Sequence, residues 1–334
     1  MAVPPPTVRR DAPGSAAPGA ASPGTVAARA ASSPRPAGPR RRGRRRLAPL
    51  LFIAPAVLFV GATVVYPLLY SVLQSFFDIG LREVVQGGAR WVGLDNYVDQ
   101  FDRPRFWDAF AVSAVYTVAS VALTFAIGLG LALLLRRPFR GRDVLRALIL
   151  VAWVLPTVVS ANVWRWLLDG SYGLLNALLR ALGLLEGDLF WLGRPSAAVA
   201  AVVIATAWSF APFAMILLAA GLEGIPKGLY EAARIDGASP WRQFRHLTLP
   251  QLRPVSLAAL LLVFIYTFKN FDTIFLMTAG GPGGATATLP VYAYNEAFEF
   301  SRFDTASVAT TVLMIVPIAL SLWYFRALRK EQSA

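Results

Sequence analysis

The sequence predicts an all-α fold, namely a polytopic membrane bundle of six transmembrane helices. Of its 334 residues, 56% are hydrophobic and only 15% are charged, whereas an average soluble domain has roughly 45–50% and ~25%. Six apolar segments also reach the ~20 residues that a membrane helix needs. This composition argues against an ordinary soluble enzyme.

The N-terminal segment, residues 1–46, is predicted to be a disordered cytoplasmic tail. Residues 1–39 are rich in Pro, Ala, Gly and Ser, and such a segment buries too little apolar surface to offset the entropy of ordering. An arginine-rich run at 40–46 comes directly before the first apolar segment. Such a run is typical of an anchor on the cytoplasmic side of a membrane helix, and it is compatible with binding anionic membrane lipid.

The net charge of +13 is concentrated in this tail. Residues 1–46 hold ten Arg and one Asp, which give +9 of the total. Because the remainder is only mildly basic, the charge does not indicate nucleic acid as a partner.

Six predicted spans follow the tail. They lie near residues 47–70, 109–135, 146–168, 196–221, 254–278 and 304–325. Most contain proline or glycine, which membrane helices tolerate when neighbouring helices satisfy the freed backbone groups. The spans define a transmembrane domain of residues 47–326, and residues 327–334 are predicted to be a short cytoplasmic tail.

The distribution of Lys and Arg predicts the orientation. With the N-terminal tail inside, the inner segments carry 23 basic residues and the outer loops carry seven. Cytoplasmic loops of membrane proteins hold the excess of positive charge. We therefore expect both termini in the cytoplasm.

The sequence contains few of the residues that catalytic and metal-binding sites require. The chain has no cysteine and one histidine, His246, which argues against a thiol nucleophile, a thiolate metal site or a histidine-based site. It also lacks the Gly-x4-Gly-Lys-Ser/Thr phosphate loop, so nucleotide hydrolysis is not expected here. We expect no catalytic residue, no metal and no cofactor bound by this chain.

The loop between the fourth and fifth spans, residues 222–253, is the most informative segment. Residues 229–235 are good helix formers, and Gly237 can take the left-handed conformation that closes a helix. Ser239 can cap a second helix, and Pro250 is expected to stop that helix before the fifth span. These signals predict two short helices around a tight turn.

The same loop carries a spaced pattern of Glu-Ala-Ala, three residues, Gly, nine residues, an aliphatic, one residue and Leu-Pro. It resembles the characteristic loop of the inner-membrane permeases of binding-protein-dependent ABC importers, although Leu247 stands where that family often has Ile. The resemblance implies that the loop docks into a cleft on an ATP-binding subunit. The implied coupling residues are Glu231, Ala232, Ala233, Asp236, Gly237, Trp241, Phe244, Leu247, Leu249 and Pro250. Physical chemistry alone leaves an alternative, an amphipathic hairpin lying on the membrane surface.

Shorter motifs extend the resemblance over about residues 47–326. They occupy residues 53–55, 66–67, 91–97, 173–176, 268–283 and 287–294. In this order they are similar to carbohydrate-importing permeases of the maltose and glycerol-phosphate type. The resemblance implies the ABC importer permease fold with a cytoplasmic coupling helix. It also implies a second, different permease subunit, two ATP-binding subunits that use ATP and Mg, and an extracytoplasmic sugar-binding protein.

The fifth span offers candidates for a substrate path. Tyr266, Asn270 and Thr273 fall along one helical face, and a sugar path needs groups that hydrogen-bond and rings that stack. The alternative is ordinary helix packing, in which Asn and Thr hydrogen-bond across helices. Lys269 and Asp272 are three residues apart on the same predicted helix, so they can pair.

These observations predict a non-catalytic permease subunit in a bacterial inner (plasma) membrane. With the second permease it would carry a carbohydrate, a di- or oligosaccharide, into the cytoplasm by ATP-driven alternating access. A stand-alone secondary transporter or channel for a small polar solute is the alternative, but it would need embedded carboxylates or inverted repeats. Only Asp272 is acidic well inside a predicted span. An intramembrane enzyme would need clustered catalytic groups, which the sequence does not offer.

Overall fold

The computed structural model describes residues 47–332 of the chain. The predicted tail of residues 1–46 lies outside the described residues. Two compact units divide between Val57 and Leu58. Of the first unit the structure describes residues 47–57, which begin the first helix. The packing described below is that of the second unit.

The described residues are almost entirely helical. The helices are α1 (Leu47–Val60), α2 (Tyr66–Gln74), α3 (Leu81–Gln86), α4 (Asp95–Phe101), α5 (Pro104–Leu134), α6 (Arg142–Val154), α7 (Thr157–Leu167), α8 (Leu174–Ala181), α9 (Pro195–Glu223), α10 (Lys227–Ile235), α11 (Pro240–Gln243), α12 (Leu249–Phe268), α13 (Asp272–Thr278), α14 (Leu289–Tyr294) and α15 (Phe303–Gln332). Five-residue π-helical segments occupy Gly61–Val65, Phe244–Thr248 and Asn295–Glu299, and a 3₁₀ turn covers Trp191–Gly193. Two-residue strands, β1 (Phe77–Asp78) and β2 (Arg90–Trp91), pair antiparallel.

Five helices of the described chain are long and apolar enough to cross a membrane. They are Phe52–Gln74, Pro104–Leu134, Pro195–Glu223, Pro240–Phe268 and Phe303–Arg326. The helices α6 and α7 meet at 99° and form a sixth span if the bent pair is counted as one. The predicted all-α bundle of six spans is thereby confirmed. The last helix continues to Gln332, so the predicted tail of residues 327–334 begins as part of a helix.

The helix α9 lies at the centre of the bundle. In its most apolar window 61% of the residues are buried, against 28% for α5 and 17% for the last span. A Cβ atom on Gly128 of α5 would lie only 2.7 Å from the Ala214 Cβ on α9. Small residues of this kind let two helix backbones approach closely in a membrane bundle.

The third span is broken, whereas the sequence predicted one continuous helix over 146–168. Leu155 has the extended angles φ −60° and ψ 137°. It precedes Pro156, and the proline ring disfavours helical angles at the residue before it. The helix α7 then restarts at Thr157 in a new direction.

The predicted fifth span, 254–278, is wrong at both ends. The helix ends at Phe268 and a separate helix, α13, begins at Asp272. At its other end the helix does not stop at Pro250 but runs unbroken from Pro240.

A π-helical turn explains why Pro250 does not end the helix. The N–H of Leu249 donates to the carbonyl of Phe244, five residues earlier. Proline in an α-helix lacks one hydrogen bond and clashes with the carbonyl four residues before it, and the wider turn relieves that clash. The first span shows the same arrangement, because the N–H of Tyr66, the residue before Pro67, donates to the carbonyl of Gly61.

A buried carboxylate ties three elements together at the end of the bundle opposite the 222–253 loop. Glu296 is only 3% exposed. Its Oε2 lies 3.4 Å from the Arg302 guanidinium, which precedes α15, and 3.8 Å from that of Arg103, which precedes α5. Burial raises the pKa of the Glu296 carboxyl above its ordinary value, more than the nearby arginines lower it.

Candidate functional site

A cavity of about 310 Å³ lies where the breaks in the third and fifth spans meet α9. Polar and aromatic side chains from all three elements line it. They include Trp153, Thr157, Ser160, Ser209, Phe210, Tyr266, Lys269, Asn270, Phe271, Asp272 and Thr273. The two helix breaks, which the sequence did not predict, therefore create the space.

The three predicted path residues all line this cavity. Tyr266 is 44% exposed and Thr273 is 8% exposed, while Asn270 is half-buried. They do not share one continuous helical face as predicted, because Tyr266 belongs to α12, Asn270 to the break and Thr273 to α13. The break nevertheless brings them together.

A polar network holds the break. The Asn270 amide nitrogen donates to the Tyr116 hydroxyl at 3.0 Å and to the Thr273 hydroxyl at 3.3 Å. The Thr273 backbone N–H donates to the Asn270 Oδ1 at 3.3 Å. The Tyr116 hydroxyl also lies 2.8 Å from that of Thr206 on α9. The network joins α5, α9 and the break of the fifth span.

Sequence reasoning missed Tyr116 and Thr206. A signal for Tyr116 was available, because hydroxyl-bearing residues recur on one face of α5 at helical spacing. These buried residues are Ser113, Tyr116, Thr117, Ser120 and Thr124. A polar stripe on an otherwise apolar membrane helix indicates a face turned toward the bundle interior. No such stripe pointed to Thr206.

Aromatic rings form another wall of the cavity. The Tyr266 ring stacks on Phe210 with a centroid distance of 6.0 Å and meets Phe213 edge-on at 5.8 Å. The Lys269 ammonium lies 5.5 Å from the centroid of the Tyr266 ring. Ring faces beside hydrogen-bonding groups suit a solute that has both hydroxyls and apolar faces.

The ion pair that the sequence spacing of Lys269 and Asp272 allows does not form in the structure. Among the described residues no salt bridge joins them. Lys269 directly follows α12 and Asp272 begins α13, so the break removes the helical spacing on which the pairing depended. Asp272 instead lies in the first turn of α13, where a negative charge is favoured by the helix dipole.

The 222–253 loop folds as the predicted pair of helices around a turn. Gly237 has a φ of +73° after α10, which is the left-handed conformation that favours glycine. The Ser239 hydroxyl accepts the Arg242 backbone N–H at 3.3 Å and caps α11.

One side of this loop is exposed. Trp241 is 69% exposed and lies beside Phe244, with ring centroids 5.6 Å apart. The exposed members of the predicted coupling set are Glu231, Ala232, Asp236, Gly237, Trp241, Leu249 and Pro250, and the half-buried ones are Ala233, Phe244 and Leu247.

The other side of the loop is anchored to the bundle. The Tyr230 hydroxyl lies 3.0 Å from that of Thr248, a buried residue of the loop that belongs to the continuous helix of the fifth span. The Arg136 guanidinium, just beyond the end of α5, lies 4.4 Å from the centroid of the Tyr230 ring. The loop therefore presents an exposed face on a fixed base.

Comparison with known proteins identifies the family. A family model described as "binding-protein-dependent transport system inner membrane component" matches residues 122–333, which is more than half of the chain. The chain belongs to this family. The predicted resemblance is confirmed, and the chain is a permease component of a membrane transport system.

Two relatives and one solved structure show the same likeness. The trehalose/maltose transport system permease protein MalF of Thermococcus litoralis is 39% identical over 236 residues, covering 71% of this chain and 79% of that protein. The sulfoquinovosyl glycerol transport system permease protein SmoG of Agrobacterium fabrum is 34% identical over 286 residues, covering 86% and 92%. A chain of a bacterial ABC transporter involved in alginate import superposes with a TM-score of 0.73 at 21% identity, covering 86% and 96%. The structural match confirms the ABC importer permease fold.

Proposed function

We propose that this permease, paired with a second and different permease, carries a di- or oligosaccharide across the inner membrane. The observation that carries the proposal is the cavity at the two helix breaks, because it sets the Tyr266 ring beside the amide of Asn270. Stacking rings and amide groups are what a sugar requires. The trehalose/maltose relative supports a disaccharide, and the sulfoquinovosyl glycerol relative supports a glycoside more generally.

The energy for transport comes, in this proposal, from two partner subunits that hydrolyse ATP with Mg. The exposed face of the 222–253 loop, which includes Glu231, Gly237 and Trp241, docks into a cleft on one of them. Aromatic side chains are enriched in protein interfaces, and the exposed Trp241 ring lies beside Phe244 on this face. Closure of the ATPase pair then moves the loop and, through α12, the cavity.

The second permease covers the first span. Residues 58–74 have no buried side chain within this chain, although they form a membrane-length helix with Phe52–Val57. An extracytoplasmic sugar-binding protein delivers the cargo to the opposite end of the bundle from the 222–253 loop. Both termini and that loop lie in the cytoplasm, as the distribution of Lys and Arg indicates.

Reconstitution tests the proposal. The chain is co-purified with candidate second-permease and ATPase subunits and placed in liposomes with a candidate binding protein. We expect the binding protein to stimulate ATP hydrolysis and ATP to drive uptake of radiolabelled sugar, and neither activity when any one subunit is omitted. Uptake by this chain alone, driven by an ion gradient, would refute the importer and support a stand-alone transporter.

A further inference from the structure

The hydrogen-bonding capacity of Asn270 is almost fully used within the protein. An asparagine amide has two N–H donors and one oxygen with two lone pairs. Both donors are engaged, one with Tyr116 and one with the Thr273 hydroxyl. The oxygen accepts one bond, from the Thr273 backbone N–H. Only one acceptor position remains for anything that enters the cavity.

The direction of the network follows from the donors. The Thr273 backbone N–H can only donate, so the amide oxygen of Asn270 must face it and the amide nitrogen must face Tyr116. The Tyr116 hydroxyl then accepts from Asn270, and it shares a second hydrogen bond with the Thr206 hydroxyl 2.8 Å away, in which either oxygen can donate. Tyr116 is 2% exposed and Thr206 is fully buried, so both ends of this relay are fixed inside the bundle.

We propose that Tyr116 is a positioning residue that makes Asn270 an acceptor-only contact in the cavity. This rests on the proposed function. Tyr116 occupies one amide proton and prevents the amide from rotating, so the site selects a solute group that donates, such as a sugar hydroxyl. A group that only accepts, such as an ether oxygen or fluorine, meets an oxygen and is disfavoured.

The transport test uses the conservative variant Tyr116→Phe in the reconstituted complex. The probes are trehalose and maltose, together with monodeoxyfluoro derivatives of each, in which one hydroxyl donor becomes an acceptor. We expect the KM for the parent sugar to rise about 3- to 10-fold, as for the loss of one hydrogen bond, with the maximal uptake rate within twofold. Wild type should disfavour one fluoro derivative most. For that derivative, we expect the ratio of its KM to the KM of the parent sugar to be lower in Tyr116→Phe than in wild type. A merely structural role would not change that ratio.

The control is Thr124→Val on the same helix. The Thr124 hydroxyl is buried and has no hydrogen-bond partner among the described residues, so its loss tests the removal of a buried hydroxyl without touching Asn270. We expect wild-type KM values and ratios. An unchanged ratio in Tyr116→Phe, or an equal change in Thr124→Val, would overturn the proposal.

A second arm needs no sugar. The chain has no cysteine, so Lys269→Cys places a single thiol at the cavity beside Asn270. We expect a charged methanethiosulfonate to modify it several times faster when Tyr116→Phe is added, because the break loosens, and at the same rate when Thr124→Val is added. Equal rates in all three overturn the positioning role. A faster rate without uptake of any sugar leaves positioning intact and overturns the proposed substrate class.

Discussion

Gly237 closes α10 in a conformation that other residues adopt at a cost. A Cβ there would meet nothing within 4 Å, so the constraint comes from the backbone alone. We predict that Gly237→Ala destabilises the turn by about 1 kcal/mol and lowers binding-protein-stimulated ATP hydrolysis. Gly237→Asn should retain more activity, because Asn tolerates positive φ.

The matched control for this prediction is Gly228, which lies in α10 and also has open space around its Cβ position. Its backbone is helical, so Gly228→Ala should leave coupling unchanged and favour the helix. Equal losses in the two alanine variants would contradict the role given to positive φ.

Glu296 makes the stability of the folded protein depend on pH in a defined direction. Because burial raises its pKa in the folded state, the folded protein binds the proton more tightly than the unfolded chain does. Stability therefore falls as the pH rises from the ordinary value of 4.5 through the raised pKa, and is level above it. In Glu296→Gln, thermal unfolding should lose that part of the pH profile. A profile as steep as that of wild type would show that another group is responsible.

At the residue scale, the sequence was enough to predict several residues of the cavity. It could not predict the contacts that orient them, and the reason is physical. Asn270 and Thr273 stood out because amide and hydroxyl groups are costly in a membrane span. The side chain that orients Asn270 is 154 positions away in the chain. No local pattern reports such a pairing, because it is created by the packing of α5 against the break of the fifth span.

At the scale of elements, two prolines have different effects on the spans that contain them. Pro156 follows an extended residue and breaks the third span, whereas Pro250 follows a π-helical turn and leaves the fifth helix continuous. Hydropathy averages over such positions, so the sequence predicted six spans but missed the breaks in the third and fifth, and it predicted a stop at Pro250 that the structure does not have. Whether a helix bends or widens at proline depends on the neighbours that satisfy its freed carbonyls.

The π-helical turn sets the angle between the loop and the span, which leads to a prediction for Pro250→Ala. Restoring the N–H at position 250 allows an ordinary α-helical register, and closing the turn rotates α11 relative to α12. We predict that thermal stability is kept or increased, because a proline clash is removed, while stimulated ATP hydrolysis falls severalfold.

The control is Pro254→Ala, in the same helix but beyond the π-helical turn. Its removal should leave the relation between α11 and α12 intact and coupling near wild type. If both variants couple normally, the turn has no role in transmission.

The close contact between α5 and α9 depends on Gly128, which has no side chain. We predict that Gly128→Ala costs about 1–3 kcal/mol through overpacking, since its Cβ would also lie 3.1 Å from the Met215 backbone nitrogen. Thermal unfolding in detergent measures the loss. Gly130→Ala, where a Cβ meets nothing within 4 Å, should be neutral or stabilising. A comparable loss in both would indicate an effect of helix backbone rather than of packing.

At the scale of the whole molecule, the first span stands out among the five membrane-length helices of the described chain because no residue of its most apolar window is buried. The membrane-length helix ending at Gln74 exposes Leu69 with 58% of its surface accessible. We predict that a single cysteine from Leu69→Cys reacts with maleimide in the isolated chain and is protected when the second permease is co-expressed. Val85→Cys, on the exposed helix α3 outside the spans, should react in both. Persistent labelling of position 69 would contradict the assignment of this surface.

The unbroken helix from Pro240 to Phe268 has a mechanical consequence. Its 29 residues make a rod about 43 Å long, with the exposed face of the 222–253 loop at one end and the Asn270 break at the other. Near its middle, the absent side chain of Gly221 admits Leu252 and Val255, since a Cβ there would lie 2.8 Å and 3.0 Å from their side chains. This close contact with α9 divides the helix into two arms of similar length. If the helix pivots there in the proposed mechanism, a displacement of the loop end would move the Asn270 end in the opposite direction.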